Sequence, residues 1–127
     1  MAMVSKVLIV EDNDLNLKLF HDLLIIQNYK VITSKNGIGV RELVEAERPN
    51  LILMDIQLGG ISGIDIIKEL KENPATSSIP IIAVTAFAMK NDEVKISASG
   101  CDMYVPKPVS IDLFFQALDK FLKPNGR

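Results

Sequence analysis

Carboxylates, a hydroxyl and an ammonium recur in this 127-residue chain at the points where apolar runs give out. Lys6-Val7-Leu8-Ile9-Val10 runs into Glu11-Asp12-Asn13-Asp14, and Leu51-Ile52-Leu53-Met54 stops on Asp55. The run from Ile79 to Val84 stops on Thr85, and Asp102-Met103-Tyr104-Val105 leads into Pro106-Lys107-Pro108. Each run is too short for a buried helix and reads as a strand, the central ones buried on both faces. An acid after a strand is usually a helix cap or a solvated loop residue. In a parallel sheet, however, all these strand tips lie along one edge, the edge where open α/β sheets bind ligands. Glu11, Asp12, Asp55, Thr85 and Lys107 then converge.

Three converging carboxylates repel and raise one another's pKa unless a cation neutralises them. The set contains neither His nor Cys, and hard carboxylate oxygens select Mg²⁺ over zinc. Magnesium keeps open positions for phosphate oxygens, so Asp55 is placed to accept a phosphoryl group in line while positive charge takes up what develops on the equatorial oxygens. Lys107 supplies a mobile point charge to one phosphoryl oxygen, and the Thr85 hydroxyl can donate to another. The single histidine, His21, falls within a helical stretch and reads as a surface residue.

The elements that must position these groups alternate along the chain. Asp14 can cap a helix in which Leu15, Leu19, Phe20, Leu23 and Leu24 recur at helical spacing up to about Asn28. Leu17, Ile25 and Ile26 widen its apolar face and are expected to be buried. Tyr29 to Thr33 is a second strand, Asn36-Gly37 a turn, and Val40, Leu43, Val44 and Ala46 mark a second helix ending near Arg48. A loop from Gln57 to Gly63 precedes a third helix bearing Ile64, Ile66, Ile67 and Leu70, which Asn73-Pro74 ends. Met89 to Ser99 is weakly helical and polar, and is expected to be the least firmly held helix. Gly100 closes it, and Ser110 can cap a last helix whose Leu113, Phe114, Leu118, Phe121 and Leu122 face the core. Five strands alternating with five helices predict an α/β doubly wound parallel sheet with right-handed crossovers.

The length fits one domain, residues 1–127, with no output domain. Hydrophobic content of 48% and charged content of 24%, with no run approaching a membrane span, describe an ordinary globular protein without membrane insertion. The start Met1-Ala2-Met3-Val4 lacks the regions of a secretory signal and points to the cytoplasm. The formal charge of -2 argues against direct DNA binding, which needs clustered Lys and Arg. Cys101, the single cysteine, reads as a buried structural thiol.

The combination of Glu11-Asp12, Asp55 within Leu-Ile-Leu-Met-Asp, Thr85-Ala86 and Lys107-Pro108 resembles the receiver domain of bacterial two-component response regulators, over essentially the whole chain. The likeness narrows to single-domain regulators of cell division and polarity. It implies a flavodoxin-like fold with strand order 2-1-3-4-5, and transfer to Asp55 from a kinase phosphohistidine. It also implies Mg²⁺ held by Asp12, Asp55 and the Gln57 backbone carbonyl with help from Glu11, and a phosphoryl group held by Thr85 and Lys107. Tyr104 matches an aromatic that turns inward as Thr85 moves, although by itself it reads as a half-buried strand residue. The Lys107-Pro108 bond is expected to be cis. Partners would be sensor histidine kinases and kinase-like proteins that recruit a monomeric or weakly dimeric protein to the cell pole. Such a protein is not an enzyme beyond catalysing its own phosphorylation and dephosphorylation.

The chain departs from the family at Gly59, where proline is usual, so the loop after Asp55 gains backbone freedom. Phe87 and Gln57 are expected to restrict the attacking water and lengthen the phosphoryl lifetime. Two rival readings fit less well. An Mg²⁺-dependent phosphohydrolase with an aspartyl-phosphate intermediate needs a second acid where Gln57 stands. A flavodoxin-like flavin carrier needs a Ser/Thr/Gly-rich loop where Glu11-Asp12-Asn13-Asp14 would repel the cofactor phosphate.

Overall fold

A computed structural model describes residues 4–86 and 90–122. Five strands alternate with five helices: β1 Lys6–Val10, α1 Asp14–Ile26, β2 Lys30–Ser34, α2 Val40–Glu47, β3 Leu51–Asp55, α3 Gly63–Glu72, β4 Ile81–Thr85, α4 Lys90–Ala98, β5 Met103–Pro106 and α5 Ile111–Phe121. The strands form one parallel sheet in the order β2-β1-β3-β4-β5. Every residue of β3 and β4 is buried, which explains their unbroken apolar runs, whereas β2 and β5 at the edges are mixed.

Because strand side chains alternate, the sheet feeds two cores. Val7, Ile9, Leu51, Leu53, Ile82, Val84 and Val105 pack with Phe20 and Leu24 of α1 and with Phe114, Ala117 and Leu118 of α5. The Phe20 and Phe114 rings stack at 5.4 Å. On the other face Leu8, Val10, Ile52, Met54, Ile81 and Ala83 meet Val40 and Val44 of α2, Ile66, Ile67 and Leu70 of α3, and Ile96 of α4. Ile81 is fully buried there, so Ile81→Val, which deletes one methylene, is expected to destabilise by about 1 kcal/mol. The check is a lower urea midpoint at unchanged slope.

Several expectations about helix faces are corrected. Ile25 and Ile26 are 48% and 70% exposed, and Leu15 is 80% exposed. Successive residues turn by about 100° on a helix, so once Phe20 and Leu24 face the sheet, Ile26 must look away from it. Leu113 is likewise exposed, and Ala117 takes its place in the core of α5. The N-cap of α1 is Asn13, whose side chain accepts from the Asn16 N–H at 3.0 Å, and Asp14 is the first helical residue. Asp14 pairs instead with Lys35. Pro80 precedes β4 and Tyr29 is buried just before β2.

α4 matches its sparse sequence: Ile96 is buried and Val94 is 67% exposed. Met89 lies outside the described residues. Cys101 is partly rather than fully buried and packs beside the second core. His21 is exposed and sits 3.2 Å from Asp22.

Candidate functional site

The strand registers align the tips. Val10 pairs with Met54, Asp55 with Val84, and Thr85 with Pro106, so β1, β3, β4 and β5 finish along one edge. Glu11, Asp12 and Asp55 each place a carboxylate oxygen within 4.8 Å of the others. Glu11 and Asp55 are buried, at 1% and 2% exposure, while Asp12 is exposed at the mouth.

Lys107 arrives from beyond β5. Its Nζ lies 3.1 Å from Glu11 Oε1 and 3.2 Å from Asp55 Oδ2. The backbone N–H of Lys107 donates to the Thr85 carbonyl at 2.7 Å, tying the turn to the end of β4. The Lys107-Pro108 bond is cis. Thr85 is buried at 1% exposure. Asp55 is steadied from its own loop, where the Gln57 N–H donates to Oδ1 at 2.9 Å.

One cation beside two buried carboxylates leaves negative charge in excess. The Glu11 carboxyl is pushed up to about 7, first by burial and then by its hydrogen bond to Asp55. Burial pulls the Lys107 ammonium down, but its bonds to Glu11 and Asp55 outweigh this and its net shift is upward. Glu11 Oε1 is buried and accepts no aligned hydrogen bond, although Lys107 is near. Three carboxylates that each bring an oxygen within 4.8 Å of the others, with no His or Cys among them, have the donor chemistry of a hard divalent cation site, and the set fits Mg²⁺.

The raised value fixes a pH dependence. In the metal-free protein the unfolded chain releases the Glu11 proton near 4.5 and the fold keeps it to about 7, so this group's contribution to stability declines as pH rises across that window. A ligand must be deprotonated to bind metal. Mg²⁺ affinity is therefore expected to fall about tenfold between pH 8 and pH 6, as titration calorimetry at the two pH values would read.

Tyr104 stands apart from this cluster. It pairs in register with Ala83, is 37% exposed, and its hydroxyl is pushed up first by the charge of Glu93 on α4, to which it is also hydrogen-bonded. Phe87 lies outside the described residues. Gly59 lies close to the acids, since a Cβ there would stand 3.5 Å from Asp12 Oδ2, ordinary contact with no positive φ to demand glycine.

Two residues were not anticipated from sequence. Asn13 gives its backbone N–H to Glu11 Oε2 at 3.2 Å. Gly63, the first residue of α3, is pressed so closely on Asp55 that a Cβ would fall 2.2 Å from the Asp55 carbonyl oxygen. The only trace of the second in the sequence is a glycine after Ser62 at a helix start, where side-chain caps are the norm.

Comparisons with known proteins agree with this geometry. Residues 7–119 match the response regulator receiver domain family. The chain is 47% identical over 120 residues to the polar-differentiation response regulator DivK of Brucella anthropi, covering 94% of this chain and 98% of that one. It is 45% identical to DivK of Brucella ovis over the same length. Among solved structures it resembles the receiver domain of the Pseudomonas aeruginosa sensor histidine kinase PA1611, which has a magnesium ion coordinated in its active site cleft. The TM-score there is 0.85 and the identity 28%, covering 94% of this chain and 98% of that one. A receiver domain of a Syntrophus aciditrophicus histidine kinase shares the fold at a TM-score of 0.88 and 24% identity, covering 98% of this chain and 94% of that one. An acidic strand-tip cleft with a lysine closing over it, on a sheet of this order and with these relatives, establishes that the chain belongs to the response regulator receiver domain family.

Proposed function

We propose that this protein is a phosphorylation switch in which Asp55 accepts a phosphoryl group from the phosphohistidine of a sensor kinase. The observation that carries the reading is Lys107 Nζ at 3.2 Å from Asp55 Oδ2 inside the Glu11, Asp12 and Asp55 cluster. Asp12, Asp55 and the Gln57 carbonyl, with Glu11 behind them, would hold Mg²⁺, which when bound neutralises charge on the carboxylates and on phosphate oxygens. Asp55 Oδ2 attacks phosphorus and the bond to the donor nitrogen breaks. Lys107 leaves its pairing with the carboxylates to meet one phosphoryl oxygen, and the Thr85 hydroxyl donates to another. Burial strengthens each of these charge-assisted bonds.

The readout is a protein contact on the face formed by α4, β5 and α5, which carries exposed Val94, Tyr104, Ile111 and Leu113. Inward rotation of Tyr104 breaks its link to Glu93 and repacks α4, whose buried anchor is Ile96. Likeness to DivK supports histidine kinases and kinase-like proteins as partners, a role in cell division or polarity, and recruitment to the pole by those partners. No helix among the described residues is long and apolar enough to cross a membrane. Gln57, rather than an acid, two residues after Asp55 disfavours a phosphohydrolase. With Mg²⁺ and acetyl phosphate the protein is expected to gain one phosphate-sized mass that survives acid and is lost to hydroxylamine. No gain under these conditions overturns the reading.

A further inference from the structure

We infer that Asn13 is a positioning residue for the acidic cleft, acting through Glu11; the inference deepens the metal-site reading above. Asn13 makes three hydrogen bonds, two toward α1 and one back toward Glu11. Its side-chain Oδ1 accepts from the Asn16 N–H at 3.0 Å and caps α1, and its own backbone N–H donates to Glu11 Oε2 at 3.2 Å. Its carbonyl accepts from the Leu17 N–H at 2.9 Å, opening the helical ladder. Its backbone is extended, at φ -83° and ψ 119°, which is the conformation a cap requires and the one that turns the N–H back toward residue 11.

Glu11 needs such a fixture. It is buried at 1% exposure, and its Oε1 has no aligned donor. Lys107 stands 3.4 Å from Oε2, and as a flexible ammonium it fixes no orientation. The planar N–H of Asn13 is the rigid donor that holds Glu11 Oε2 on the side of α1 and so fixes the rotation of the carboxylate. The cap at the head of α1 thereby sets the rotation of a carboxylate in the cleft. Coupling of this kind is reciprocal, so ion binding at the cleft should also steady the first turn of α1. A residue that orients a metal ligand usually changes affinity by about ten- to a hundredfold when altered.

Three proteins test the assignment: wild type, Asn13→Ala, which cannot cap, and Asn13→Ser, which can. Asn13→Gly, tolerated at caps without a side-chain acceptor, stands in if the alanine variant does not fold. Amide exchange at residue 13 is read by NMR in the absence of metal, and Mg²⁺ affinity by calorimetry. In Asn13→Ala the residue 13 N–H should exchange about tenfold faster and Mg²⁺ affinity should drop about tenfold, at the low end for an orienting residue. Asn13→Ser should stay within about twofold of wild type on both readouts. Unchanged exchange and affinity in Asn13→Ala overturn the inference, as does a serine variant as impaired as the alanine one. Should wild type bind no Mg²⁺, the metal-site reading fails, and the exchange rates alone decide for or against the positioning role.

Discussion

Asp55→Asn is expected to abolish the phosphate-sized mass increase given by acetyl phosphate, leaving none where the wild type labels. The amide has nearly the shape of the carboxylate but lacks the charged oxygen that attacks phosphorus, and it withdraws one of three carboxylates from the cleft. Loss of labelling will not be loss of fold. Replacing a charge beside Glu11 relieves the repulsion that helps push the Glu11 carboxyl up to about 7, so the metal-free variant should melt no lower than wild type at pH 8. Labelling that persists at wild-type level in Asp55→Asn would place the acceptor elsewhere, and mapping of the modified peptide would then find it.

Gly63→Ala is expected to destabilise by about 3 kcal/mol, lowering Tm by on the order of 10 °C, although alanine is the better helix former. The added Cβ would stand 2.2 Å from the Asp55 carbonyl oxygen and 2.8 Å from Ile56 Cα. Both are backbone atoms, so no flexible side chain can yield. The 3.2 Å bond from the Gly63 N–H to the Ile56 carbonyl and the 3.0 Å bond from the Ile56 N–H to Val84 tie this contact to the sheet. Relief therefore requires α3 to withdraw or the tip of β3 to move, and the second displaces Asp55. Thermal denaturation reads the stability, and the Mg²⁺ titration reads any displacement. A Tm within 2 °C of wild type would mean that the β3–α3 junction is far more compliant than its contacts allow.

The part of this protein most legible in its sequence was the sheet edge. Strand tips are marked by an abrupt change from aliphatic to charged residues, and chain order with right-handed crossovers permits few arrangements of five parallel strands. Asp12, Asp55 and Lys107 are therefore placed before any coordinate is known, and Thr85 with them at the tip of β4. Helix faces were less legible. α1 is apolar around much of its circumference, so periodicity alone left open which side the sheet and α5 would cover. The stack of Phe20 on Phe114, residues far apart in the chain, settles it and turns Ile25 and Ile26 outward.

The sequence by itself determined the alternation of elements, the run of buried strands and the chemistry gathered at their ends, because these follow from short-range hydrophobic pattern and connectivity. The tertiary structure alone decided that Glu11 is buried while its neighbour Asp12 meets solvent, and that Gly63 lies on the Asp55 carbonyl. Each of these depends on how closely one element approaches another, within an ångström or less. Packing of distant residues sets such distances, and no local pattern encodes them.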